Sequence, residues 1–223
     1  MLKMVGSLIL LAALSLGLQA CAVQQLKVNP GFGKKGPSAL PSAKNGSYAE
    51  RPVWKVGYWW KYSWRRLGAS DSVTERVIRE DEFEGHPSYV VQRGKYEYYY
   101  TKDVLGVIAK MSEGKQVYTR DAPRQNFAWP LEPGKEWRNS YVKEDRVDKS
   151  THILDYRMIV TGQEEVSVPA GTFKCFKVEV YTPYIGTLIS EYWYSPQVKS
   201  YVKYRIYAGE GHREGELLDF KVQ

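Results

Sequence analysis

Cysteine and histidine are scarce in this sequence: Cys21 and Cys175, and His86, His152 and His212, among 223 residues. None of the histidines stands at ligand spacing from a Cys, a carboxylate or another His, so no metal site is readable. A nucleophile-elbow pattern is also missing, which leaves no catalytic triad to assemble. The Gly-rich run from Gly209 to Gly215 has no helix after it and carries Glu210 and Glu214, which would repel phosphate. No apolar run is long enough to span a bilayer as a mature helix. After Arg51 there is no stretch of ten residues with a helical stripe, so helical architectures are excluded.

What is present begins with an address. Lys3 opens a short basic start, and Val5 to Leu18 is almost unbroken in Leu, Ala, Ile and Val. Such a run suits a signal-peptide core, since a spanning helix needs about 20 residues. It ends in Leu18-Gln19-Ala20-Cys21, which resembles the lipobox of bacterial lipoproteins. The resemblance implies cleavage before Cys21 and a diacylglycerol on its sulfur. A single acyl chain, at about 0.8 kcal/mol per methylene, anchors only marginally, whereas a triacylated Cys21 would hold firmly. Ala22 in place of Asp implies, by the same resemblance, the outer membrane. With Cys21 acylated, Cys175 has no disulfide partner, and it reads as a half-buried small hydrophobe.

The formal net charge of +7 is split. Residues 22–50 carry Lys27, Lys34, Lys35 and Lys44 against Glu50, and residues 51–223 hold 27 basic and 24 acidic groups. A high pI would ordinarily suggest nucleic acid. Here part of the excess sits beside the lipid, where it favours anionic head groups. Residues 22–50 are rich in Gly, Pro and Ser and read as a flexible linker spanning about 30 Å.

From Arg51 onward the period is two. Trp54, Val56, Tyr58, Trp60, Tyr62 and Trp64 are expected on one face of a long strand, and Leu154/Tyr156/Met158/Val160 and Val202/Tyr204/Ile206 alternate likewise. Glu84-Gly85, Glu113-Gly114, Pro169-Ala170-Gly171 and Gly209-Glu210-Gly211 mark turns. The expectation is an all-β domain over 51–223, an antiparallel meander forming a strongly curved sheet or open half-barrel. Gly57-Tyr58-Trp59-Trp60 and Glu97-Tyr98-Tyr99-Tyr100 have counterparts in Gly134-Lys135-Glu136-Trp137 and Glu191-Tyr192-Trp193-Tyr194. Two diverged copies of one meander, roughly 51–115 and 130–210, would account for that order.

Glu165 to Cys175, with Val168-Pro169-Ala170-Gly171-Thr172-Phe173 at its centre, resembles a hairpin of exported bacterial families of unknown function. Glu191 to Pro196 followed by Val202-Lys203-Tyr204 is similar to the segment after that hairpin. Curved sheets of this kind also resemble the half-barrels of outer-membrane lipoprotein carriers, an analogy of shape. Physically the motif is a turn: Pro169 fixes φ, and Gly171 can take a positive one.

Aromatics are in surplus, 29 of the 173 residues from Arg51 onward. Most suit a core, but Trp59 shares its face with Lys55, Lys61 and Arg65. Tyr99 and Trp193 share theirs with Glu97 and Glu191. These three are the candidate recognition surface, with Trp59 and Trp193 expected to be partly exposed. The function expected is a lipid-anchored, non-catalytic binding or assembly module on the periplasmic face of the outer membrane. Its partner would be an envelope protein, a glycan or an apolar ligand, with no cofactor, no metal and no nucleic acid. A carrier of apolar molecules is the alternative. A hydrolase is the least supported, because Glu164 and Glu165 point to opposite faces and cannot act together.

Overall fold

The computed structural model describes residues 48–207 and 212–223. Cys21, the leader, residues 22–47 of the linker and the turn at Gly209-Glu210-Gly211 lie outside the described residues. The described chain is all antiparallel β: β1 (Trp59–Arg66), β2 (Ala69–Phe83), β3 (His86–Arg93), β4 (Tyr96–Thr101), β5 (Val107–Ser112), β6 (Lys115–Arg124), β7 (Glu136–Asp145), β8 (Thr151–Val168), β9 (Gly171–Tyr181), β10 (Leu188–Ser195), β11 (Ser200–Ile206) and β12 (Arg213–Lys221). Each strand pairs with its neighbours in sequence, and β12 returns to β1, so twelve strands close into a barrel. The sheet is therefore not an open half-barrel. The closing seam is long, from Trp59↔Lys221 to Arg66↔Arg213. Closure leaves no bare edge for aggregation.

Two long strands do the bending. β2 and β8 each carry a register shift, between Val77 and Arg79 and between Val160 and Gly162. A bulge adds a residue on one side and increases the local twist, which lets a strand leave one neighbour and follow another. The same plan recurs six strands later. Gly57 and Gly134 take φ of 94° and 89°. Each donates its N–H to a carbonyl of the following long strand, Val77 and Val160, at 2.8 Å. The amides of Val77 and Val160 return to the carbonyls of Tyr58 and Lys135, both at 2.9 Å. In the turns after β4 and β10, Leu105 and Lys199 are left-handed and donate to the carbonyls of Thr101 and Ser195 at 2.9 Å.

Indoles cross between these halves. Trp60 donates to the Val198 carbonyl at 2.8 Å and Trp54 to that of Lys199 at 3.0 Å. Trp129 donates to the Val104 carbonyl at 3.3 Å in the other direction. Each half's turn is thus held by a tryptophan of the other.

Gly57 also corrects the expected first strand. Its turn, closed by Tyr58 N–H to the Lys55 carbonyl at 3.1 Å, ends the run before Trp59. Val56 is exposed in consequence, while Trp54 and Tyr58 are buried. The linker boundary also shifts. Ala49 is buried and exchanges both backbone hydrogen bonds with Leu131, at 2.9 and 2.8 Å, so the fold begins before Arg51.

The β8–β9 hairpin is longer than its neighbours and reaches β12, where the Ala170 amide donates to the Leu217 carbonyl at 3.1 Å. Val166, Val168 and Phe173 pack there with Leu217, Phe220 and Trp60. That contact is the work of the Pro169-Ala170-Gly171 turn. The strands do not present a lipid-facing band. Lys61, Arg76, Arg138, Glu165 and Lys174 are exposed along them, where a membrane-spanning barrel would need an apolar girdle.

Candidate functional site

The three aromatics expected to form one surface are not brought together. Tyr99 lies on β4 and Trp193 on β10, six strands apart in a ring of twelve, which puts them on opposite walls. Both are buried, at 8% and 5% exposure, and not partly open. The Tyr99 hydroxyl accepts from Arg79 at 3.0 Å and its ring packs with Phe83, Val90 and Ile108. Trp193 donates its indole N–H to the Glu164 carboxylate, under Lys177 and Arg205 at 5.5 and 5.6 Å from the ring. Glu97 and Glu191 beneath them are engaged by Arg79 (2.9 Å) and Lys177 (2.6 Å). Neighbouring long side chains therefore cover these rings and use up their polar atoms. Trp59 alone keeps intermediate exposure.

The opposite phase of the same strands points inward. Tyr98, Tyr100 and Tyr192 face a cavity of about 250 Å³ on one side of the barrel lumen, with Tyr118, Tyr201 and Tyr204 completing a phenol wall. A small closed sheet fills its interior with side chains, but twelve strands leave room to enclose a ligand. Four arginines share the lining, Arg93, Arg120, Arg124 and Arg213, and among the described residues no carboxylate does. The cavity runs from Arg124 and Val107 at one end to Ile206 and the exposed Arg213 at the other.

Arg213 is exposed, and the other three cations differ in their compensation. Arg93 pairs with the buried Glu75, which also accepts from the Tyr201 hydroxyl at 2.9 Å. Arg120 is buried at 8% exposure, and among the described residues its side chain makes one hydrogen bond, to the Val107 carbonyl at 3.1 Å. Its Nε is buried with no partner, although its guanidinium stacks on Tyr118 and Tyr141 at 4.3 and 5.1 Å. Arg124 donates Nε–H to Asn126 at 3.2 Å, lies 5.7 Å from the Tyr156 ring, and its two terminal amino groups meet no hydrogen-bond partner among the described residues.

A local irregularity puts these last two together. Between Ala109↔Thr119 and Val107↔Arg124, β6 takes five steps where β5 takes two. The surplus residues loop out around Pro123. Arg120 is thereby turned back onto the carbonyl of Val107, the residue that pairs with Arg124. Gly106 permits the approach, since a Cβ there would lie 2.7 Å from that of Pro123.

Burial holds four of the phenols in this wall in their protonated form. Burial first raises the Tyr100 hydroxyl to about 12, with the Arg93 charge pulling the other way, and burial raises Tyr98, Tyr201 and Tyr204 in the same sense. At neutral pH the wall consists of donors and permanent cations. Its chemistry is that of an acceptor-binding site. Among the described residues no group of three His, Cys, Asp or Glu could hold a metal. Cys175 is fully buried, and burial followed by the Glu164 charge raises its thiol to about 12.

Comparison with known proteins bears on the second half. Residues 126–217 match the model of the family described as "Protein of unknown function (DUF3108)". That match spans β7 to β11 and the first part of β12. Among solved structures the chain is similar to a protein of Bacteroides fragilis described as exported with a YmcC-like fold. The two share 16% identity over 78% of this chain and 99% of that one, with a TM-score of 0.43. It is also similar to a protein of Parabacteroides distasonis described as a lipoprotein (13%, 78% and 100%, TM-score 0.38). A third is the hypothetical lipoprotein YmcC of Escherichia coli K12 (14%, 73% and 84%, TM-score 0.39). No curated protein matches the sequence.

Sequence reading missed the arginines, since isolated charges on strands read as solvated. One signal was available. Arg120 lies in phase with Tyr118, and so on the aromatic face of an alternating strand.

Proposed function

We propose that this protein is a non-catalytic binding module of the bacterial envelope, tethered through Cys21 to the periplasmic face of the outer membrane, which holds a small ligand inside its barrel. The observation that carries this reading is the lumen cavity, walled by phenols and guanidinium groups. Ligand sites are concave and use a few convergent polar groups, whereas the outer aromatics here are spent on internal contacts. Four arginines in the lining argue against a carrier of bare acyl chains, because burying charge beside hydrocarbon is costly.

Native mass spectrometry of the protein purified from envelope membranes tests the reading. A bound small molecule is expected on the wild type and should be lost in Ile206→Trp, which fills the cavity. A clean mass in both proteins, or an adduct indifferent to Ile206→Trp, would remove the lumen as the ligand site.

A further inference from the structure

Resting on the lumen reading, we infer that the ligand is an anion, a phosphate or phosphate ester, gripped by Arg120 and Arg124 at the β5–β6 bulge. Three observations converge on this. Among the described residues the cavity lining holds four cations and no carboxylate. Arg120 is buried with an orphaned Nε, and neither terminal amino group of Arg124 meets a hydrogen-bond partner among those residues. The bulge in β6 turns the Arg120 guanidinium onto the carbonyl of Val107, the ladder partner of Arg124, and both arginines line the same cavity, where like charges cost free energy until a counter-charge enters.

Several other cations in the fold are neutralised by a carboxylate on another strand. Arg79 meets Glu97 at 2.9 Å, Arg157 meets Glu136 at 2.9 Å, and Lys203 meets Glu216 at 2.6 Å. Exposed arginines without an ion pair, such as Arg76 and Arg138, are solvated by water, whereas Arg120 is buried without a carboxylate partner among the described residues and so needs a counter-charge that arrives. Guanidinium forks suit the oxygens of phosphate, and protonated tyrosines add neutral donors around them. A cavity of about 250 Å³ has room for a phosphate and a few further atoms. The exposed Leu67, Val147, Tyr184 and Ile185 all lie on turns at the same end of the barrel as Arg213. A phosphate carried on a lipid is therefore one source, and a soluble phosphate ester the other.

The test is thermal unfolding of the full-length protein, followed by tryptophan fluorescence, in sodium phosphate against sodium chloride of equal ionic strength. Phosphate should raise the melting temperature beyond chloride, because a ligand of the native state stabilises it by mass action. Arg124→Gln should melt no lower than wild type in chloride, since it removes a half-buried cation without a carboxylate partner among the described residues. It should also weaken phosphate binding at least tenfold. Arg124→Lys keeps the charge without the fork, and serves if Arg124→Gln fails to fold; a severalfold loss is expected. Lys174→Gln, on the exposed outer face, should leave the response intact.

Glycerol 3-phosphate binding more tightly than dihexanoylphosphatidic acid would support a soluble ester, and the reverse order a lipid. No difference between phosphate and chloride in the wild type overturns the inference, as does a phosphate response that survives in both Arg124 variants. An adduct lost in Ile206→Trp without any phosphate response would leave the lumen reading standing and the anion assignment refuted.

Discussion

At the scale of single residues, burial rather than face decides what a tryptophan is worth. Trp60 is 1% exposed and anchors a turn through its indole, while Trp193 on the outer phase is 5% exposed and bonded to Glu164. Truncating either to Ala should cost about 3–5 kcal/mol, the range for a large side chain lost from a packed site. Trp59, with intermediate exposure, should lose clearly less. Urea denaturation of the three variants checks that order, and a cheap Trp193→Ala would reopen the outer face as a surface. A residue-scale reading of alternation names the two faces of a strand correctly. It does not tell which face is covered, because the cover comes from Lys177 and Arg205 on the neighbouring strands, whose register against Trp193 is not a local signal.

The buried ionisable groups also act residue by residue. Cys175 and Tyr100 lose protons at higher pH in the folded chain, about 12 for each, than in the unfolded one, about 8.5 and 10. As pH rises past those unfolded values the unfolded chain releases protons first, so stability falls, on the order of 1 kcal/mol per pH unit per group. Their contribution is intact below about pH 8.5. Stability of the wild type should decline from there, and that of Cys175→Ala only from about pH 10. Urea titrations across pH 7 to 11 measure both onsets.

Among elements, the β6–β7 seam is the weak joint. Only Tyr118↔Asp145, Thr119↔Glu144 and Arg120↔Lys143 pair across it, against the long β1–β12 seam. Side chains take over where the ladder stops. Asn139 accepts from the Gln125 amide at 2.9 Å and donates to the Pro123 carbonyl at 3.1 Å, and Asp121 accepts from the Val142 amide at 2.7 Å. Asn139→Ala should speed amide exchange in β6 and β7 while leaving β1 and β12 protected, a local opening of the kind hydrogen exchange resolves. Uniform loss of protection would show that the barrel opens only as a whole.

Strand identity was legible here, since period-two alternation and turn residues are local signals. Closure was not, because the β1–β12 pairing joins residues some 150 apart and leaves no mark on either segment. Nor was the bulge in β6, whose surplus residues are visible only against β5. The candidate site was illegible for that reason: Arg93, Arg120, Arg124 and Arg213 become one wall only after the sheet has closed.

Over the whole molecule, the crossed indoles set the terms of assembly. Trp54 and Trp60 hold the turn at Val198 and Lys199, and Trp129 holds Val104. Neither six-stranded half carries the donor that fixes its own turn, so each half alone would resemble a subunit waiting for its mate. Cutting the chain before Asn126 turns that into an experiment. Residues 48–125 and 126–223, expressed apart, should each stay unstructured by circular dichroism. Mixed, they should co-elute as a one-to-one complex with the spectrum of the intact barrel. What is now a loop between β6 and β7 would then be a tether of convenience, and the fold a heterodimer that happens to be continuous.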